Sequence, residues 1–245
     1  MDSILAKADS VRLWPYPHVV IPDCLPQSLV DELDATFPEQ EILRVPHVGE
    51  GVRVDLPSME ALEKLDSTWV EFIRYHTSQE FWHDVLDLFG DVMNVCYPLL
   101  HLQYGNLREL DCGPRRVEMT TLQMECQPGV NTAQTVAQRV RGPHLDNPVE
   151  LYGGLLYMGD GEGGDLEIQR LIKGPKFHGK LEIKDKCVET VSTVKYQKNM
   201  LVFFLNTPVS IHSVTTRPAS EECRRLINIV GELPNMLFKT GHGEY

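Results

Sequence analysis

Pro143-His144-Leu145-Asp146-Asn147, answered much later by Ile211-His212-Ser213-Val214, is the stretch on which the reading of this chain turns. In an extended strand the side chains alternate faces, so His144 and Asp146 point the same way, roughly 7 Å apart along the strand. Two such groups can grip one metal ion, and His212 supplies a second imidazole from a distant strand. Two histidines and one carboxylate on one side of an ion leave the opposite positions open, the arrangement that suits an Fe(II) centre handling oxygen.

A single His-x-Asp is weak evidence, but the order of elements around it strengthens the reading. The pattern is followed by a Gly163-Gly164-Asp165-Leu166 turn, an apolar run from Met200 to Leu205, His212-Ser213-Val214, and a strand that opens with Arg224-Arg225. A dicarboxylate co-substrate that chelates the iron through its keto-acid end needs its far carboxylate held, and a guanidinium does this with paired, charge-assisted bonds. Alternation favours Arg224, which shares a face with Leu226 and Asn228, while Ile227 and Ile229 turn toward helices. Arg225 is then expected to be a solvated strand end. Residues 211–216 and 224–230 flank a proline-containing turn and are expected to pair antiparallel.

The first third reads as helix-rich: Leu29 and Leu33, residues 59–65, and the series Trp69, Phe72, Ile73, Phe81, Val85, Leu88, Phe89 recur three and four apart. His76 and His83 are read as ordinary residues that can share one helix face. Trp14, Trp69 and Trp82 are expected to anchor the core. From about residue 119 the period changes to strands broken by turn residues, at 119–127, 152–159, 165–171, 180–183, 188–196, 199–206, 211–216 and 224–232. The expected fold class is α+β with a mainly β core, a double-stranded β-helix (jelly roll, cupin-like) with N-terminal supporting helices. One domain is expected over 1–245, with a helix-rich support region at 1–115, the jelly-roll core at 116–235 and a tail at 236–245.

Composition narrows the partners. A formal net charge of -12 over 245 residues opposes attraction to a phosphate backbone, so no nucleic-acid partner is expected. No leader or membrane-spanning run is read, and the six cysteines contain no Cys-x-x-Cys pair, so reduced thiols and a cytoplasmic location are expected. The basic stretch 170–186 reads as a solvated hairpin. Arg139 and Arg141 lie in the polar segment ahead of the iron motif, where loops commonly set specificity, and either can hold an acidic group of a substrate. Asn147 either hydrogen-bonds substrate or caps a turn before Pro148.

With these residues in view, the chain resembles the 2-oxoglutarate- and Fe(II)-dependent oxygenases, particularly the branch similar to prolyl 4-hydroxylases. Pro15-Tyr16-Pro17-His18-Val19-Val20-Ile21-Pro22-Asp23 looks like the strand leading into that branch's support helix. Met124-Glu125-Cys126-Gln127-Pro128-Gly129 looks like the strand before its iron motif, and Leu155-Leu156-Tyr157-Met158 like the following hairpin. The resemblance implies iron held by His144, Asp146 and His212, 2-oxoglutarate anchored by Arg224, oxygen as oxidant, and succinate and carbon dioxide as co-products. Two departures stand out: the position where many relatives carry a co-substrate-binding tyrosine is read as Cys126, and a small hydroxyl residue often found two after the arginine is Leu226. The retained Asp146 favours hydroxylation, desaturation or ring formation over halogenation.

The expected activity is therefore oxidation of an unactivated C–H bond in a small metabolite such as an amino-acid derivative, with Arg141 and Asn147 as candidate substrate contacts. A peptidyl, prolyl-type hydroxylase is the first alternative. A non-catalytic metal-binding jelly-roll sensor or binding protein is the alternative from another class; it needs neither Arg224 nor an open iron position.

Overall fold

The computed structural model describes residues 1–56, 59–117, 119–173 and 181–239. Among the described residues, ten strands and four α-helices are arranged around two facing sheets. The strands are β1 (His18–Ile21), β2 (Arg53–Asp55), β3 (Cys112–Pro114), β4 (Leu122–Asn131), β5 (Glu150–Tyr157), β6 (Leu166–Leu171), β7 (Val188–Val194), β8 (Leu201–Leu205), β9 (His212–Val214) and β10 (Arg224–Glu232). The helices are α1 (Gln27–Ala35), α2 (Ser67–His76), α3 (Gln79–Cys96) and α4 (Leu100–Tyr104). The larger sheet runs β1-β8-β5-β10-β4-β2, with β3 paired to β4, and the smaller runs β7-β6-β9.

Helix boundaries follow from local chemistry. Asp66 caps α2 by accepting from the Thr68 N–H at 2.9 Å, and Ser78 caps α3 through the Phe81 N–H. That second cap breaks the helical stretch, so His76 and His83 lie on different helices rather than one shared face. Residues 59–64 form only a short 3-10 turn.

The outer face of the larger sheet packs on the helices. Ile227, Ile229, Cys126, Leu201 and Phe203 share one buried cluster with Trp69, Phe72, Phe81 and Phe89. The inner face supplies Leu226, Val202, Phe204 and Tyr157, packed against Leu166 and Ile168 of the smaller sheet. β8 is therefore apolar at every position because both of its faces are covered, which is why Met200 to Leu205 reads as an unbroken run. Trp69 and Trp82 are buried as expected, but Trp14 is 63% exposed and anchors nothing. Cys24, Cys96, Cys126, Cys187 and Cys223 are free thiols.

The strand periods fix the mainly β core, with boundaries shifted by a few residues. Two expectations are corrected. The 180–183 segment contributes a bridge between Glu182 and His144 rather than a strand, and Lys180 lies outside the described residues. The expected antiparallel pairing of 211–216 with 224–230 does not occur: β9 pairs β6, whereas β10 lies between β4 and β5 in the facing sheet. The turn between them crosses from one sheet to the other, so period and turn residues alone leave the partner undetermined.

Candidate metal centre

His144 stands directly opposite His212. The two residues exchange both backbone hydrogen bonds, His144 N–H to His212 O at 2.9 Å and His212 N–H to His144 O at 3.1 Å. Directly opposed residues project to the same face. The imidazoles therefore converge, with ring centroids 4.2 Å apart. Asp146 follows on the same side, and its carboxylate oxygens lie 3.6 Å from His144 Nε2 and 3.5 Å from His212 Nε2. One donor atom from each residue falls within 4.8 Å of the other two.

The outer ring nitrogens fix which atoms face inward. His144 Nδ1 pairs with Gly142 O at 2.7 Å and His212 Nδ1 with Ser210 O at 3.0 Å. A ring that donates from Nδ1 to a carbonyl keeps its Nε2 lone pair for a metal, so both imidazoles are aimed as ligands before an ion arrives. Burial lowers the His212 pKa to about 4, leaving the ring neutral at physiological pH. Burial opposes ionisation of Asp146, but its surroundings, the Arg141 guanidinium among them, hold its carboxyl below the usual range. Two imidazoles and one carboxylate on one side, with a cavity on the other, fit a divalent iron ion.

That cavity, about 380 Å³, lies between the two sheets. The larger sheet lines it with Tyr157, Leu226, Asn228 and Glu150; the smaller with Leu166, Val214 and His212. Gly153 faces Asp146, and a Cβ there would come within 3.4 Å of its Oδ2. Phe204 lines the cavity and Phe203 packs against Phe81 and Phe89, dividing the pair as alternation predicts.

The other expected site residues are distributed as follows. Arg224 opens β10 on the inner face, stacked over the Tyr196 ring at 4.2 Å, with its guanidinium donating to the carbonyls of Glu162 and Gly163. It sits behind Gly164 and Tyr196, which line the cavity. Arg225 is exposed at the start of β10, as expected, and there pairs with Asp34 Oδ1 at 2.9 Å and lies over the Phe37 ring, docking β10 to α1. Arg141 lines the cavity, its Nη1 3.5 Å from Asp146 Oδ1. Arg139 is held away by two bonds to Asp185, at 2.7 and 2.8 Å. Asn147 is exposed, is absent from the cavity lining, and accepts from the Val149 N–H at 3.4 Å, capping the turn before β5.

Cys126 is corrected as a co-substrate position. It is 2% exposed and turned toward the helices, while Glu125 and Asn131 of the same strand face the cavity. Two phenols that the sequence reading did not single out, Tyr157 and Tyr196, line the cavity beside Leu226. Tyr157 sits one pairing step from Arg224, opposite Leu226, a proximity that only strand register reveals. Asn206 was also missed: its Nδ2 donates to Asn147 O at 2.8 Å and Glu150 O at 3.0 Å, securing the turn that follows Asp146.

Neither a family model nor a curated protein matches this chain. Solved structures do. A prolyl 4-hydroxylase from Phytophthora capsici superposes with a TM-score of 0.52 at 16% identity, over 89% of this chain and 59% of that one. The chain has the prolyl 4-hydroxylase fold. It spans about three fifths of the length of that relative. A Pseudomonas putida prolyl 4-hydroxylase gives 0.45 at 16% identity, over 88% of this chain and 92% of that chain. HygX of Streptomyces hygroscopicus, with nickel and 2-oxoglutarate bound, gives 0.44 at 14% identity, over 89% of this chain and 82% of that chain. The sequence reading of a double-stranded β-helix is thus borne out. Among the described residues, no helix is long and apolar enough to cross a membrane.

Proposed function

We propose that this protein is an Fe(II)- and 2-oxoglutarate-dependent oxygenase that oxidises an unactivated C–H bond of a small metabolite, releasing succinate and carbon dioxide. The observation that carries the reading is the orientation of the three donors. His144 and His212 turn Nε2 toward Asp146 at the wall of a cavity, and each ring is locked by a carbonyl at Nδ1. Bound iron would supply oxygen activation and oxidation of the C–H bond.

This chain's own groups would do the positioning. The far carboxylate of 2-oxoglutarate fits the end of the cavity near Arg224, where Tyr157 and Tyr196 add phenols and Leu226 an apolar wall. Burial pushes the Tyr196 phenol up to about 12, so it stays a neutral donor, as a carboxylate requires. Arg141 is the substrate contact at the side of Asp146. The sheets exclude bulk water from the wall formed by Phe204, Leu166 and Val214, which strengthens these charge contacts. A space of about 380 Å³ between two sheets suits a small molecule beside the co-substrate.

The test is an anaerobic titration with Fe(II) and then 2-oxoglutarate, following the visible charge-transfer band of the chelate, together with succinate formation in air. Wild type should show both, and His144→Ala should lose both. Unaltered turnover in His144→Ala would sink the ligand assignment, and absence of the band in folded wild type would sink the oxygenase reading.

A further inference from the structure

Glu150 opens β5 and lines the cavity, and among the described residues its carboxyl has a backbone donor, the Asn147 N–H, but no side-chain hydrogen-bond or ion-pair partner. The strand register sets it opposite Glu232, next to which β4 places Glu125. One arginine serves the other two carboxylates: Arg115 Nη1 reaches Glu125 at 2.9 Å and Arg115 Nε reaches Glu232 at 2.9 Å. Like charges directly opposed in a sheet are unfavourable, and a half-buried carboxyl with one backbone donor and no side-chain partner recovers only part of its lost solvation. Burial, with Asp146 and Glu232 adding to it, pushes the Glu150 carboxyl up to about 8, so the group is largely protonated until a cation stands beside it to favour the carboxylate. Asn206 nevertheless clamps the Glu150 main chain in this position.

Beside Asp146 stands Arg141, whose Nη1 makes a 3.5 Å contact with Asp146 Oδ1. Engagement of Asp146 by a metal ion would weaken even that contact, because the same carboxylate oxygens would face the ion. Glu150 and Arg141 line one cavity and make no bond to each other. An acid without a side-chain partner and a base with one long contact, lining the same cavity as the ligand carboxylate, match a molecule that carries both charges.

We infer that the substrate is a zwitterion, a free amino acid, with its ammonium group held by Glu150 and its carboxylate by Arg141. This rests on the oxygenase reading and adds the substrate class to it.

The experiment uses the anaerobic protein loaded with Fe(II) and 2-oxoglutarate. It is titrated with each of the common amino acids and with their N-acetyl and carboxamide forms, following perturbation of the charge-transfer band. At least one free amino acid should perturb the band saturably, and its two blocked forms should bind more weakly by about 10- to 100-fold, as for loss of a charge-assisted hydrogen bond. Glu150→Gln should keep the unperturbed band, which reports an intact fold and metal site, yet lose a similar factor toward the amino acid, while Glu150→Asp keeps more of it. A normal band that no amino acid perturbs, or equal binding by Glu150→Gln and wild type, overturns the inference and leaves the oxygenase reading standing. A wild-type protein that forms no band removes both.

Discussion

His76 shows how much one buried side chain can contribute to pH dependence. It is fully buried at the end of α2, where Nε2 accepts from the Ile4 N–H at 3.2 Å and Nδ1 pairs with Phe72 O at 2.8 Å, a combination open only to the neutral ring. Burial lowers its pKa from 6.5 to about 3. Between those values the unfolded chain binds a proton that the folded chain refuses. The stability is therefore complete above pH 6.5 and is lost as pH falls toward 3, at up to about 1.4 kcal/mol per pH unit. Urea unfolding at pH 7 and pH 5 should show a decrease of which about 2 kcal/mol vanishes in His76→Gln, although that variant starts less stable. An identical pH decrement in the two proteins would assign it to other groups. The sequence offered His76 only as one of several unassigned histidines, because its partners lie on the backbone of segments that pack against it only in the folded chain.

At the level of elements, the turn between β5 and β6 decides where Arg224 lies. Gly163 and Gly164 both have φ of +63°, a conformation that side chains other than glycine adopt at a cost. A Cβ on Gly164 would also lie 2.2 Å from Arg224 Nη1. Gly164→Ala should destabilise the fold by about 1–3 kcal/mol in urea and weaken 2-oxoglutarate binding by displacing the guanidinium. Gly49→Ala, with open space around its Cβ and no positive φ, should change stability by no more than about 0.5 kcal/mol. Equal effects at the two positions would refute the role given to the turn. The Gly-Gly pair was visible in the sequence as a break between strands. Its contact with Arg224 was not, since that requires β10 to lie beside β5.

For the whole molecule, the ligand set spans elements distant in the chain: His144 and Asp146 precede β5, and His212 belongs to β9. A metal ion that binds the folded arrangement and not the unfolded chain must stabilise the fold, by about 2.7 kcal/mol at a free concentration one hundred times its dissociation constant. Thermal unfolding with Mn(II), a redox-quiet substitute for Fe(II), should show a midpoint that rises with metal, returns on adding a chelator, and is unresponsive in His212→Ala. A midpoint in wild type indifferent to metal would mean that the three side chains do not act as one site.

What the sequence determined by itself was local and periodic. The alternation along β10 put Arg224, Leu226 and Asn228 on one face and Ile227 and Ile229 on the other. The spacing of His144 and Asp146 put two ligands on one side, and the apolar run at β8 announced a strand covered on both faces. Tertiary structure alone decided the pairings. It set His212 opposite His144, separated β9 and β10 into facing sheets, turned Cys126 to the helices, brought Tyr157 and Tyr196 beside Leu226, and left Glu150 opposite Glu232. The physical reason is that side-chain period is a property of one strand, whereas register and sheet assignment depend on which distant strand closes the longest loops at the least cost in entropy.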